Sequence, residues 1–442
     1  MSNFSCEVLI VGAGPAGMAA ALAAAESGGQ VRMIDDNPHP GGQIWRDGMQ
    51  VALPETANRY RQAVAARENI ALQSGCKLVA QCGANRLAYE DAEGCGVIRY
   101  QKLILCNGAR ELLLPFPGWT LPGVTGAGGL QAQIKQGLAI RGERVVIAGS
   151  GPLLLAVADS VKQAGGEVVM LAEQAPLWRL AAFAGGLWRW PAKLRQAFSL
   201  MPHRYRAGSR VQAALGQARL TSVRVNNGGR ERTIACDRLA CGFGLVANIE
   251  LAMLLGCRIE HDAVAVNHWQ QTSQVQIFAA GECTGIGGSE LALTEGAIAG
   301  YAATGQREKA ERLAAQRRRW RRFATAAASA FALDERLNSL ANPQTLLCRC
   351  EDVTLEQVRH QPDWNTAKMN SRCGMGACQG KVCATAARQL LGWPLPSPRV
   401  PLTPVRTETL VALGLNRCDD DGLNGLAASR PRQTPPHYHC GQ

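Results

Sequence analysis

The chain has 442 residues, 47% of them hydrophobic and 19% charged, with 48 Gly and 16 Cys. That length exceeds one ordinary core and predicts two or three domains, while the apolar fraction excludes a largely disordered protein. The net charge of +12 rests on arginine, since only eight of the 47 basic residues are lysine; a bias spread in this way reads as composition, and no nucleic-acid partner is expected.

The most apolar stretch, Val8 to Ala25, is interrupted by Gly12, Gly14, Pro15 and Gly17 and lacks a basic leader. No transmembrane segment or signal peptide is expected. The expected location is cytoplasmic. Thiols stay reduced there, so sixteen cysteines need another explanation.

Glu7-Val-Leu-Ile-Val11 reads as a buried strand, followed by Gly12-Ala-Gly14-Pro-Ala-Gly17, an Ala-rich helix from Met18 to Glu26, and a second strand, Val31 to Ile34, ending at Asp35. Strand, glycine turn, helix, strand and acid in that order form a dinucleotide-binding fingerprint. Gly12 permits the tight turn, Gly14 admits a pyrophosphate to the backbone, and Gly17 lets helix and strand pack closely. Asp35 is positioned for ribose hydroxyls.

Two later segments resemble the two-dinucleotide-domain flavoproteins and favour FAD over NAD. Asn37-Pro-His-Pro-Gly-Gly42-Gln43 is similar to their loop toward the flavin, and Val275-Gln-Ile-Phe-Ala-Ala-Gly281-Glu282 to their strand ending in Gly-Asp/Glu. The resemblance implies that Glu282 bonds a ribityl hydroxyl. Lys102-Leu-Ile-Leu-Cys-Asn-Gly108-Ala109 resembles their Ala-Thr-Gly strand end.

A second turn, Gly149-Ser-Gly151-Pro-Leu-Leu154, follows the strand Arg144 to Ala148, and Glu173 lies near the end of a further strand, Val168 to Leu171. By analogy this is an NAD(P)-type insert in which Glu173 favours an unphosphorylated ribose. Leu154 holds the third glycine position, which should separate helix from strand or demand compensation, so an empty or repurposed site is the other reading. Residues 36–75 and 107–235 lack cysteine, which argues against thiol exchange at a flavin.

The run Arg317-Arg318-Arg319-Trp320-Arg321-Arg322 lies in a helical pattern. It reads as a solvated or subunit-facing surface, without the interleaved aromatics of a single-strand binding groove. Beyond it, Cys348, Cys350, Cys373, Cys378 and Cys383 fall within 36 residues. Cys-x-Cys and Cys-x4-Cys pairs can bring four soft thiolates to one centre, suiting an iron–sulfur cluster or, as the structural alternative, zinc. The expected ligands are Cys348, Cys350, Cys378 and Cys383, with Cys373 a nearby free thiol and a shifted set left open. Between the pairs, Thr354 with Gln357 fits a capping box.

The ordered motifs GAGPAG, IDDNPHPGGQIWR, NGARE, PFPGWTLPGV, GSGPLLLA, AAGECTGIGG, CRCEDVT and GMGACQGKVC resemble the larger flavoprotein subunit of heteromeric amine or imino-acid dehydrogenases. That group includes octopine and nopaline oxidase, hydrogen cyanide synthase, and proline and hydroxyproline dehydrogenase subunits. The cysteine-rich part is similar to bacterioferritin-associated-ferredoxin-type [2Fe–2S] domains. The resemblance implies an α/β two-dinucleotide-domain flavoprotein with bound FAD and a [2Fe–2S] cluster. It further implies a partner, a glycine-oxidase-like FAD-containing subunit, joined in some members by an interfacial FMN and a small ferredoxin-like subunit. The alternative is a self-sufficient NAD(P)H-dependent flavoprotein reductase; a redox sensor is a third reading.

The expected organisation is a split FAD domain (1–115 and 240–305) around a Rossmann insert (116–239), a helical connector (306–342) and a cluster domain (343–396). The remainder, 397–442, is expected to be a Pro-rich strap and a disordered tail. His437, His439 and Cys440 near the end suggest a flexible tail rather than a metal site.

Overall fold

Two largely parallel sheets carry most of the chain, and the computed structural model describes residues 2–48 and 53–415. The first sheet runs Ile70–Gln73, Val31–Ile34, Ser2–Val11, Cys95–Leu105, Arg86–Glu90, Lys77–Gln81. Its central strand is fully buried at Leu9 and Ile10, as a continuous aliphatic run in a two-sided parallel sheet should be. Cys95–Leu105 pairs with Ser2–Val11 on one edge and divides its other edge between two neighbours. Its first half pairs with the antiparallel hairpin strand Arg86–Glu90, and Leu103–Leu105 pairs in parallel with Ile277–Ala279.

Helix Pro15–Ala25 lies on this sheet with alanine on almost every side. Helix Ser289–Ala303 can press directly on it, because a Cβ at Gly296 would stand 2.1 Å from the Ala16 carbonyl oxygen and one at Gly300 2.3 Å from that of Ala20. The last segment of the first sheet thus returns, some 280 residues later, onto the first helix.

The second sheet runs Tyr205–Arg206, Glu167–Glu173, Arg144–Gly149, Arg238–Gly242, Val124–Gly126, beside an antiparallel sheet of Ser209–Leu215, Ser222–Asn227 and Arg230–Ala235. Two crossing strands, Ala109–Glu111 and Leu245–Ala247, pair antiparallel where the chain enters and leaves it. The Glu111 carboxylate fastens that crossing by accepting hydrogen bonds from the Gly128 and Gly129 amides at 2.6 and 3.0 Å. These amides open helix Ala127–Lys135, where an anion is favoured.

Leu154 does not separate helix from strand. It is buried, and the compensation comes from Gly242 on the adjacent strand, where an added Cβ would lie 3.1 Å from Leu154 Cδ2. The bulk missing from one strand makes room for the bulk added to the helix.

Helix Ala314–Ala330 leads to the cysteine-rich part, which has a core of its own around Leu347, Val358, Trp364 and Trp393. Helix Leu355–Arg359 begins with the expected capping box between Thr354 and Gln357. The proline-rich strap then crosses the first sheet, with the Leu402 amide donating to the Val79 carbonyl at 2.8 Å. After the strap comes helix Thr407–Leu415, anchored where its Thr409 hydroxyl and the Arg406 amide just before it donate to Glu90. The remaining tail, including His437, His439 and Cys440, lies outside the described residues. Among those described, no helix is long and apolar enough to cross a membrane.

Gly296→Ala would drive a methyl group into the Ala16 carbonyl. It should cost about 1–3 kcal/mol of stability, seen as an earlier urea midpoint with an unchanged transition slope.

Candidate functional site

The register of the first sheet sets Val11 beside Leu105, and Leu105 beside Ala279. Three adjacent parallel strands therefore end together, and each runs into a glycine: Gly12, Gly108 and Gly281. A crevice beyond the carboxyl ends of such strands is where open α/β sheets take their ligands.

At the first turn the three glycines differ in role. Gly12 has φ +105°, and a Cβ there would strike the Cys106 carbonyl oxygen at 2.3 Å; one at Gly17 would strike the Gly12 carbonyl oxygen at 1.8 Å. A Cβ at Gly14 would meet only the Gly42 Cα, at 3.8 Å. Gly12 and Gly17 are packing requirements, and Gly14 leaves an open approach to the backbone. Gly42 closes over the turn, and the preceding Gly41 amide donates to the Ala13 carbonyl at 2.8 Å. Asp35 is buried and accepts from the Ala13 amide at 2.5 Å and the Asn37 amide at 2.8 Å. Gln43 is exposed and accepts from Arg46 at 2.7 Å.

Glu282 follows Gly281, which packs against Ala16 at the start of the first helix. Its surroundings exclude water and push its carboxyl above the usual range, with the Gly288 amide pulling the other way. Asn248 braces the Gly108 end, donating to the Asn107 carbonyl at 2.8 Å and accepting from Arg110 at the same distance. Arg110 lies within the NGARE motif, but its role, and Asn248 altogether, carry no signal in the sequence, because the two meet only across the strand pair that joins the sheets.

The cysteine-rich segment touches this crevice. Arg110 Nε donates to the Lys381 carbonyl at 3.4 Å. Burial and neighbouring Asp35 push the Asp36 carboxyl up, while Lys381 pulls it down.

All five expected cysteines converge, with Cys373 more central than expected. The sulfurs of Cys348, Cys373 and Cys383 lie within 4.8 Å of one another, all buried, whereas Cys350 is exposed. Hydrogen bonding from the Cys383 thiol and the Val382 and Gly380 amides brings Cys378 down to about 5 against burial. Cys350 joins through Cys378. The loop glycines create room: added Cβ atoms at Gly374 and Gly380 would meet Trp364 at 2.5 and 3.0 Å, and one at Gly376 would meet Cys350 Cβ at 2.2 Å. Such an array of soft sulfur donors fits iron–sulfur or zinc chemistry.

The second turn is a different object. A Cβ at Gly149 would overlap the Gly242 carbonyl oxygen at 1.8 Å, while Gly151 faces open space. Glu173 is buried and accepts from the Gly151 and Ala175 amides, both at 2.9 Å, much as Asp35 accepts from those of Ala13 and Asn37. The connector covers the turn. Ser150 Oγ donates to the Phe331 carbonyl at 2.8 Å, Gln174 Nε2 to the Ala332 carbonyl at 3.0 Å, and the Asp334 amide to Gln174 Oε1 at 2.9 Å. The sequence gives no hint of this strap, since its partners are carbonyl oxygens and one glutamine.

The family model for pyridine nucleotide-disulphide oxidoreductases matches residues 6–300. The chain is 32% identical to hydrogen cyanide synthase subunit HcnB of Pseudomonas aeruginosa, over 92% of this chain and 98% of that one. It is 31% identical to an opine oxidase subunit of Rhizobium meliloti, over 87% and 81%. Among solved structures, L-proline dehydrogenase from P. horikoshii shares the fold with a TM-score of 0.68 at 18% identity, over 92% of this chain and 80% of that one.

Burial pushes the Glu173 carboxyl up to about 7, against the two amide hydrogen bonds. The folded chain therefore holds this proton longer than the unfolded chain, and stability should fall as pH rises from about 4.5 to about 7, by about 3 kcal/mol at most. Glu173→Gln removes that slope while losing one acceptor. Urea midpoints across this range should decline for the wild type more steeply than for the variant.

Proposed function

The chain belongs to the pyridine nucleotide-disulphide oxidoreductase family and is an oxidoreductase, and we propose that it is the FAD- and [2Fe–2S]-bearing electron-transfer subunit of a heteromeric amine or imino-acid dehydrogenase. The substrate class is opine, proline or hydroxyproline. The observation that carries this reading is the contact of the cysteine-rich loop, through Lys381, with Arg110 beside the three converging strand ends. Relatives across nearly the whole chain are named as subunits of hydrogen cyanide synthase and opine oxidase, which supports a partner subunit. That partner is a glycine-oxidase-like flavoprotein that removes hydride from the amine, with an interfacial FMN and a small ferredoxin-like subunit completing the assembly.

On this reading FAD lies against Gly12, Gly14 and Gly17, with Asp35 toward its ribose, Gly42, Gln43 and Gly108 along the crevice, and Gly281 and Glu282 at the ribityl chain. Cys348, Cys350, Cys378 and Cys383 hold the cluster. FAD and a [2Fe–2S] cluster together supply conversion of a two-electron input to a one-electron output. The chain's own residues position and insulate: Asn248 and Arg110 fix the Asn107–Gly108 turn, and Trp364 under Gly374 and Gly380 sets the cysteine loop. The reading keeps the domain limits expected from sequence, with the cluster domain at 343–396. A location in the cytoplasm accompanies the reading.

The anaerobically purified protein should contain iron and acid-labile sulfide; zinc alone would sink the cluster. Cys378→Ala should lose the visible cluster absorbance and keep the flavin, whereas Cys373→Ala should keep both. Iron analysis and absorbance spectra read each outcome.

The Phe331–Asp334 strap engages the side chains of Ser150 and Gln174, and Glu173 engages the Gly151 amide, which weighs against the self-sufficient reductase. NADH and NADPH should therefore leave the flavin absorbance of the isolated chain unbleached under anaerobic conditions. Rapid bleaching by either would overturn this assignment.

A further inference from the structure

Between strands Glu167–Glu173 and Tyr205–Arg206 the chain makes a helical excursion, Leu177–Gly186 and Pro191–Leu200, with no buried residue in either helix. Large apolar side chains stand out along it: Leu177, Trp178, Trp188 and Phe198 are each about two-thirds to three-quarters exposed, and Met201 nearly half. Isolated apolar residues on a surface need no explanation, but five within 25 residues mark a contact surface.

The connector helix Ala314–Ala330 lies alongside, and the two enclose a groove of about 1200 Å³. The arginine run does not present one uniform face to it. Arg317 is buried and donates to the His268 carbonyl, and Arg321 pairs with buried Glu295 at 2.9 Å, one helical turn on. Arg318, Arg319 and Arg322 instead line the groove, opposite Arg179 and Arg189. None of these five forms an ion pair among the described residues. The excursion also supplies the aromatics that the arginine run itself lacks, with Trp178, Phe183 and Trp190 in the groove wall.

We propose that this groove is the docking surface for the partner subunit, taking an acidic segment that carries apolar side chains. The inference rests on the reading that a partner subunit exists. Five guanidinium groups without acids call for carboxylates from outside, and exposed Trp, Met and Arg are the residue types enriched at protein interfaces. A second copy of this chain would set arginine against arginine. A nucleotide anchored on the second turn is blocked by the Phe331–Asp334 strap. Single-stranded nucleic acid needs free ring faces, yet Arg179 already lies over the Trp178 ring at 5.2 Å and Arg189 over Trp188 at 5.0 Å, while Phe183 and Trp190 are packed edge-on against Phe331 and Phe323.

The excursion is also tied to the element that follows the third strand end. Lys193 pairs with Glu290 at 2.7 Å, in the first turn of the helix that follows Gly281–Glu282.

The test is co-expression of the full chain with the amine-dehydrogenating flavin subunit, followed by size-exclusion chromatography with light scattering and a binding titration. Trp178→Glu with Trp188→Glu, and separately Arg318→Glu, Arg319→Glu and Arg322→Glu together, should each weaken the complex by about a hundredfold. Flavin content and the far-ultraviolet circular dichroism should stay unchanged. Replacing the same three arginines with lysine should keep most of the affinity, which separates lost charge from lost folding. Variants that bind as tightly as the wild type overturn the docking surface and leave the heteromeric reading standing. A wild-type chain that forms no complex overturns that reading itself. Tight binding of a short oligothymidylate at physiological salt, lost in the arginine variant, overturns the protein occupant in favour of nucleic acid.

Discussion

The parallel register that ends Val11, Leu105 and Ala279 side by side is the constraint on which the rest of the molecule depends. These residues are about 95 and 175 positions apart in sequence, so their glycines become neighbours only through the sheet. The register in turn requires close packing behind it. Gly12 must lie against the Cys106 carbonyl, Gly17 against Gly12, and Gly281 and Gly296 against the residues around Ala16. With side chains at those points, the first helix would lift from the strand ends and the crevice would lose its floor. Gly14, with open space before it, is the glycine left to serve a ligand rather than the packing.

Much of this was legible because it is local and ordered. The strand, glycine turn, helix, strand and acid around Gly12 and Asp35 occupy a single βαβ unit, and the capping box at Thr354 spans four residues. Leu154 shows where local reading stops. Its bulk at a glycine position was plain, but its remedy, Gly242, lies on a strand 88 residues away. Cys373 shows the same limit in the cysteine cluster. Spacing favoured the two outer pairs, whereas the buried trio of Cys348, Cys373 and Cys383 arises from the way Trp364 packs beneath Gly374 and Gly380. The helix Thr407–Leu415 was hidden for a related reason, since the buried acid it caps onto, Glu90, belongs to a hairpin in the first sheet.

The two glycine turns have similar sequences and differ in what is bonded beside each. At the first, a Cβ on Gly14 would meet Gly42, and Asp35 accepts from the Ala13 amide. Over the second, Ser150 and Gln174 hold the main chain of Phe331–Asp334, and Glu173 has taken the Gly151 amide. The second turn is thereby joined to the connector.

That joint has a mechanical consequence. The strapped segment is the end of the helix whose other face supplies Arg318, Arg319 and Arg322, and it leads through Leu337, buried in the core of the second sheet, toward Cys348. The excursion is held to the same helix by Phe183 and Trp190. The groove, the closed turn and the approach to the cysteine cluster therefore form one packed body rather than three independent appendages.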